Sequence, residues 1–125
     1  MAQGRVSAMT TAALVLLLVL IGHSELVRAA TYTVGGSRGW TFNVSRWPKG
    51  KHFKAGDTLV FIYDKRAHNV VAVNNAGYKS CMTPKGSKVF RSGKDRIKLK
   101  KGPNFFICNL PQHCKSGMKI AVTAL

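Results

Sequence analysis

A cysteine, a histidine and a methionine stand close together near the end of the chain. They are Cys108, His113 and Met118, in the run CNLPQHCKSGM, with four residues between each donor and the next. One thiolate, two imidazoles and a weak thioether are the ligands of blue-copper electron-transfer sites. The run therefore predicts three of the four ligands of such a site, on a loop that contains Pro111 and Gly117.

The second imidazole must come from elsewhere in the chain, and His68 and His52 are the candidates. His52 lies beside Lys51 and Lys54, whose positive charges disfavour a bound cation. His68 opens the apolar run NVVAV, at the junction of a loop and a predicted buried strand. A rigid strand end can hold a ligand in a fixed orientation. We therefore favour His68 over His52.

The three cysteines are an odd number, so one disulfide would leave one thiol for another role. Cys108 follows the apolar residues FFI, whereas Cys114 adjoins His113, and adjacent side chains diverge. With Cys108 as the ligand, Cys81 and Cys114 remain to pair. That bridge closes 34 residues, which is worth roughly 3.8 kcal/mol in the chain-entropy treatment.

Zinc is the main alternative metal, because it also binds cysteine and histidine. The thioether favours copper.

The N-terminal segment has the pattern of a secretory leader. The uninterrupted apolar run Ala12–Gly22 follows Arg5 and precedes polar residues. Its eleven residues rise about 16 Å as a helix, short of the roughly 30 Å hydrocarbon core of a membrane. Residues 1–29 are predicted to be a signal peptide cleaved after Ala29, and residues 30–125 the mature domain. A retained signal anchor is the alternative.

The charge is strongly positive. The chain has 20 basic and 4 acidic residues, and without its leader it keeps 18 and 3, a formal charge of +15. Such a field attracts polyanions. For an exported protein we expect an acidic polysaccharide or a membrane surface rather than nucleic acid, because the densest basic cluster has no flanking aromatic platform. The three remaining carboxylates, which are Asp57, Asp64 and Asp95, offer no hydrolase machinery, and Asp57 is predicted to be a turn residue.

Short β-rich segments separated by turn residues predict an all-β sandwich or barrel. Ile97 and Leu99 alternate with Lys98 and Lys100, as in a half-buried strand. One helical turn is expected over Tyr78–Thr83. The predicted strands are Thr31–Val34, Thr58–Tyr63, Asn69–Val73, Ser87–Phe90, Arg96–Leu99, Asn104–Cys108 and Lys119–Thr123.

These motifs closely resemble the phytocyanin family of plant cupredoxins, and within it the basic, plantacyanin branch. The likeness includes HNVVAV at His68–Val73 and FFICNLPQHCKSGMKIAV at Phe105–Val122. It continues through TYTVGG, GWTFN, WPKGK and AGD, over nearly the whole mature domain. The family's stellacyanin branch has glutamine at the position of Met118, and this chain does not.

The resemblance implies a cupredoxin-like Greek-key β-sandwich of seven or eight strands. It also implies a disulfide between Cys81 and Cys114, and one type 1 copper ion. The implied ligands are His68, Cys108, His113 and Met118. The implied activity is a secreted one-electron carrier, cycling Cu(II) and Cu(I) with an unidentified redox partner and no enzymatic turnover. The alternative is a basic cell-wall interaction or signalling protein in which copper is mainly structural.

Two further expectations concern modification and the membrane. Asn43-Val44-Ser45 is an N-glycosylation sequon among aromatic residues that could block it by burial; Trp40, Phe42 and Trp47 are expected in the core or at its rim. No lipid-anchor signal follows Lys119, so we expect no membrane anchor.

Overall fold

The computed structural model describes residues 28–125. The predicted leader therefore lies almost entirely outside the described residues. Within them the chain forms seven strands and one short α-helix, α1. The elements are β1 (Thr31–Thr33), β2 (Thr58–Ile62), β3 (Val70–Val73), α1 (Asn75–Ser80), β4 (Lys88–Phe90), β5 (Lys94–Lys98), β6 (Gly102–Ile107) and β7 (Lys119–Ala124).

The strands make two sheets, in the orders β1-β2-β5 and β4-β3-β6-β7. The β1–β2 pair is parallel, and all other neighbours are antiparallel. The connections β2–β3, β4–β5 and β5–β6 each cross from one sheet to the other. The predicted all-β sandwich is confirmed, and it has seven strands.

Aromatic side chains fill the space between the sheets. Phe61 from β2 packs against Phe106 from β6, with ring centroids 5.2 Å apart. Trp40 meets Phe61 edge to face at 5.0 Å, and its Nε1 donates to the carbonyl oxygen of Asn69 at 2.9 Å. Because the indole N–H has a partner, Trp40 can be buried without leaving an unsatisfied donor. Trp40 is thus a core residue, while Trp47 is half-buried and Phe42 lies at the rim.

The helix lies three residues earlier than the sequence predicts. Residues Asn75 to Gly77 belong to its first turn. Asn74 caps the helix, because its side chain accepts a hydrogen bond from the amide of Gly77 at 2.8 Å. The helix ends at Ser80, and Cys81, which follows it, takes the left-handed conformation with φ 54°.

The outer face of the four-stranded sheet is covered by α1 and the disulfide. Val71 and Ile107 are buried there with Cys114, and the partly buried Tyr78 packs against them. The alternation predicted around Ile97 is also observed, with Lys98 and Lys100 exposed and Leu99 buried. Within residues 28–125, no helix has the length and apolar character needed to span a membrane.

Candidate metal centre

Three metal-binding side chains converge at one end of the sandwich. The donor atoms of His68, Cys108 and His113 all lie within 4.8 Å of one another. The two Nδ1 atoms are 3.1 Å apart, and Nδ1 of His113 is 3.5 Å from Sγ of Cys108. Two imidazole nitrogens and one sulfur therefore face a common point.

Strand pairing brings His68 to Cys108 across 40 positions of sequence. Strands β3 and β6 are antiparallel, with Val71 opposite Ile107. Residues just before β3 and just after β6 must therefore lie side by side. His68 precedes β3 and Cys108 follows β6, so the pairing register alone makes them neighbours.

A tightly hydrogen-bonded loop positions His113 and Met118. The amide of Met118 donates to the carbonyl oxygen of His113 at 3.1 Å, and the amide of Gly117 donates to that of Cys114 at 3.0 Å. Gly117 has φ 82°, and a Cβ on it would lie 3.0 Å from Cα of Asn43. A side chain at position 117 would thus be strained by its backbone and crowded by the neighbouring loop.

The disulfide holds the same loop. Cys81 and Cys114 are bonded, as predicted, and their Cα atoms are 5.6 Å apart. Cys108 is the one free cysteine of residues 28–125, and it is buried. The predicted division between one bridge and one unpaired thiol is therefore confirmed. Because Cys114 directly follows His113, the bridge anchors the histidine-bearing loop to the end of α1.

The sulfur atoms lie inside the protein, whereas the imidazoles reach its surface. Cys108 and Met118 are fully buried, and His68 and His113 are half-buried. Phe42 contacts both imidazoles edge to face, with centroid separations of 5.4 Å to His68 and 4.9 Å to His113. The rings are thus fixed by aromatic packing while part of each remains accessible.

Electrostatics favour the metal-binding form of His68. Burial, followed by the proximity of His113, lowers the pKa of His68, and nearby Asp64 opposes that shift weakly. Asp64 is engaged elsewhere, since it forms an ion pair with Arg66 at 3.2 Å that lowers the pKa of Asp64. A neutral imidazole is the form that binds metal. The fold therefore keeps His68 ready to act as a ligand.

Two asparagines next to the ligands were missed in the sequence analysis. Nδ2 of Asn69 donates to Oδ1 of Asn109 at 2.7 Å, and the amide nitrogen of Asn109 donates to Oδ1 of Asn69 at 3.0 Å. This double contact ties the residue after His68 to the residue after Cys108. In the sequence, each of these asparagines directly follows a predicted ligand, in the dipeptides His-Asn and Cys-Asn. The periodicity of apolar residues does not reveal them.

The structure brings together three of the four predicted ligands as donors and excludes the alternative histidine. His52 is exposed and lies outside the cluster. Met118 is also buried. Its backbone lies beside the cluster, because the amide of Cys108 donates to the carbonyl oxygen of Met118 at 3.0 Å. A buried thiol with two imidazole nitrogens and an adjacent thioether residue fits a copper ion of the blue type.

Comparisons with known proteins agree with this geometry. The sequence profile described as a plastocyanin-like domain matches residues 40–118. The basic blue protein of Arabidopsis thaliana is 58% identical over 129 residues and covers 100% of both chains. That of Cucumis sativus is 62% identical over 96 residues, or 77% of this chain and 100% of the relative.

A solved structure has the same fold. Cucumber basic protein, a blue copper protein, superposes with a TM-score of 0.76 and 62% identity, covering 76% of this chain and 99% of its own. The predicted resemblance to the basic members of the phytocyanins is therefore confirmed. This chain belongs to the plastocyanin-like family of cupredoxins.

Proposed function

We propose that this chain is a one-electron carrier that holds a single type 1 copper ion through His68, Cys108, His113 and Met118. The observation that carries the proposal is the convergence of two Nδ1 atoms on the one unpaired thiol of the described chain. The names of its relatives support it, because two of them are called basic blue proteins and the solved cucumber protein is described as a blue copper protein.

Each residue has a separate task in this proposal. The Cys108 thiolate would supply the strongest bond to copper from a buried position, and the two imidazoles would supply nitrogen ligands. The Met118 thioether would supply a weak contact that tunes the potential. Bound copper would supply a one-electron couple between Cu(II) and Cu(I). Four protein donors leave no position for a substrate, so we propose a carrier and not an oxidase.

The half-buried imidazoles offer the route for electrons. Their ligand atoms face the cluster while part of each ring reaches the surface beside Phe42, which is 37% exposed. A redox partner could therefore approach the rings closely without opening the fold. Asn69 and Asn109 hold the two ligand-bearing segments together, which limits movement of the donors between oxidation states.

Metal analysis with visible absorption and electron-spin spectra tests the proposal. Copper-loaded protein is expected to bind one ion and to show an intense thiolate-to-copper band, which Cys108→Ser abolishes. His52→Ala is the matched control, because His52 is exposed and outside the cluster, and this variant should keep the band. Copper-loaded protein without the band would refute the proposal. Preferential retention of zinc in competition with copper would favour the zinc alternative.

We also propose that the protein is exported to the cell wall after cleavage of residues 1–29. Its support is the leader pattern in the sequence and the intramolecular disulfide, which persists in oxidising compartments.

Asn43 is exposed, so burial does not block its sequon, and its glycosylation stays a prediction. A mass decrease on glycosidase treatment of secreted protein would verify that modification.

A second function, retention on an acidic polysaccharide, is favoured by one feature of the surface. The edge strand β5 presents Lys94, Arg96 and Lys98 to solvent, and exposed Lys100 and Lys101 follow it. A row of like charges on one edge would attract a polyuronate chain. Copper would then be mainly structural, and the two functions are compatible.

Salt-dependent retention on immobilised polygalacturonate tests this second function. Replacing Lys94, Arg96 and Lys98 by glutamine should lower the salt concentration needed for elution. The matched control removes three exposed charges elsewhere, by replacing Lys49, Lys79 and Lys85 with glutamine. Equal effects of the two triple variants would contradict a β5 site, and loss of retention in the copper-free protein would count against this second function.

A further inference from the structure

Asp57 is a buried carboxylate at the start of β2. Only 1% of the surface of Asp57 is exposed to solvent. Oδ1 accepts a hydrogen bond from the backbone nitrogen of Ala30 at 2.8 Å, and Oδ2 accepts one from the amide of Lys54 at 2.8 Å. The sequence predicted only a turn residue here, and the structure shows a carboxylate that contacts the first residue of the predicted mature domain.

Among the residues that the structure describes, Asp57 has no cationic side chain as a partner. The salt bridge found there joins Arg66 to Asp64 on the surface. A buried carboxylate is costly unless it is paired or well hydrogen-bonded. Asp57 in the uncleaved chain therefore relies on neutral backbone N–H groups, although the domain carries a large excess of basic residues.

We propose that leader cleavage turns the Ala30 nitrogen into an α-ammonium group that forms an ion pair with Asp57 and fastens the N-terminal strand. The proposal rests on the export proposed above. Hydrolysis of the Ala29–Ala30 bond by a leader peptidase consumes one water molecule. It leaves a carboxylate on Ala29 and an amino group on Ala30, which takes up a proton and so places a positive charge on the atom that already contacts Asp57.

The surrounding backbone holds Ala30 in position whether or not residue 29 is attached. The amide of Thr58 donates to the carbonyl oxygen of Ala30 at 2.9 Å, and Thr31 pairs with Thr58 at the start of the parallel β1–β2 ladder. No rearrangement is needed for the new charge to meet Oδ1. A charge-assisted hydrogen bond is roughly twice as strong as a neutral one.

The turn that contains Asp57 also binds the last residue. The amide of Ala55 donates to the carbonyl oxygen of Leu125 at 2.8 Å, and the amide of Leu125 donates to that of Phe53 at 3.0 Å. The turn thus joins the first and last segments of the described domain. An ion pair between Ala30 and Asp57 would strengthen the contact between the N-terminal segment and this turn.

The length of a relative supports the position of cleavage. The cucumber basic blue protein aligns over 96 residues and its entire length, and residues 30–125 are also 96 in number. The solved cucumber basic protein aligns over 99% of its own chain with 76% of this one, so a domain without a leader folds in that relative.

A thermodynamic cycle on the copper-loaded domain tests the ion pair. One form begins at Ala30, and a second begins at Ala29, so that its Ala30 nitrogen is again a neutral amide. Each form is prepared with and without Asp57→Asn. We expect the Ala30 form to melt about 4 to 8 °C above the Ala29 form, and Asp57→Asn to abolish that difference. Equal melting temperatures, or a difference that persists in Asp57→Asn, would overturn the proposal.

Asp64→Asn is the matched control, because Asp64 is an exposed carboxylate with its own partner, Arg66. It should leave the difference between the two forms unchanged, and loss of the difference in this variant would point to a general charge effect. Mass spectrometry of the secreted protein should show Ala30 as the first residue. Another first residue would overturn the cleavage site and this ion pair, whereas the copper spectra would remain a separate test of the electron carrier.

Discussion

The backbone amide of Cys108 donates to the carbonyl oxygen of Met118 at 3.0 Å. This bond continues the antiparallel pairing of β6 with β7, in which Ile107 lies opposite Lys119. The thiol residue and the thioether residue are therefore held together by backbone, independently of their side chains. A change of the Met118 side chain should alter the donor without moving the loop.

The substitution Met118→Gln is expected to keep the visible band and lower the reduction potential. A thioether is a soft ligand that favours Cu(I), whereas an amide oxygen is harder and favours Cu(II). Voltammetry of the copper-loaded variant measures the change. Met82→Gln is the control, because Met82 is 66% exposed and should leave the potential unaltered. A potential that rises in Met118→Gln would argue against Met118 as a copper ligand.

The two hydrogen bonds between Asn69 and Asn109 form an asparagine clamp, and removing this clamp should weaken copper binding. Asn69→Ala leaves the amide of Asn109 without its acceptor, which costs about 1 to 3 kcal/mol of unfolding free energy for a buried group. Residues that orient ligands typically change metal affinity by about 10- to 100-fold when replaced. Competition titration with a copper chelator should therefore show weaker binding.

Asn104→Ala is the control for the clamp. Asn104, near the start of β6, makes three hydrogen bonds with Lys100 and Gly102, away from the ligands. This variant should lose stability but keep its copper affinity. If both asparagine variants weaken copper binding equally, the clamp has no special relation to the centre.

Loss of the disulfide should reduce stability and metal retention together. The bridged residues are separated by 33 positions, and replacing both with alanine removes a constraint worth roughly 3.8 kcal/mol. Denaturant unfolding measures the first effect, and copper dissociation measures the second, because Cys114 is next to His113. Unchanged copper dissociation in a folded variant would show that the bridge does not position the loop.

Alkaline pH should destabilise the protein through Tyr63. Burial, together with a hydrogen bond to Asp95, raises the pKa of Tyr63 from 10.0 to about 12. The folded state therefore binds more protons than the unfolded state between those values. The stabilisation is fully present below pH 10 and is lost as the pH rises through about 12.

Ultraviolet titration of tyrosinate can follow this group among the three tyrosines. A late step of ionisation near pH 12 is expected from Tyr63, and Tyr63→Phe should remove that step. The variant should also show a smaller loss of stability between pH 10 and 12. A late step that survives in Tyr63→Phe would assign it to another tyrosine.

Local patterns in the chain were sufficient for the strands and for the kinds of donor atom. Ile97 and Leu99 alternate with lysines because side chains of a strand point to opposite faces, so their burial follows from nearest neighbours. Cys108, His113 and Met118 lie within one loop, so their association also follows from short spacing. The leader pattern is likewise a property of contiguous residues.

Relations between distant segments were decided by the tertiary structure. The register of β3 against β6 brings His68 to Cys108. The packing of the loop at Phe42 places one aromatic ring against both imidazoles. The parallel β1–β2 ladder brings the nitrogen of Ala30 to the carboxylate of Asp57. No local pattern specifies these contacts, because a pairing register is set by the buried face of the whole sheet. The amino-acid sequence alone thus determined which ligands are available and roughly where the strands run, and only the packed sandwich decided which distant residues meet.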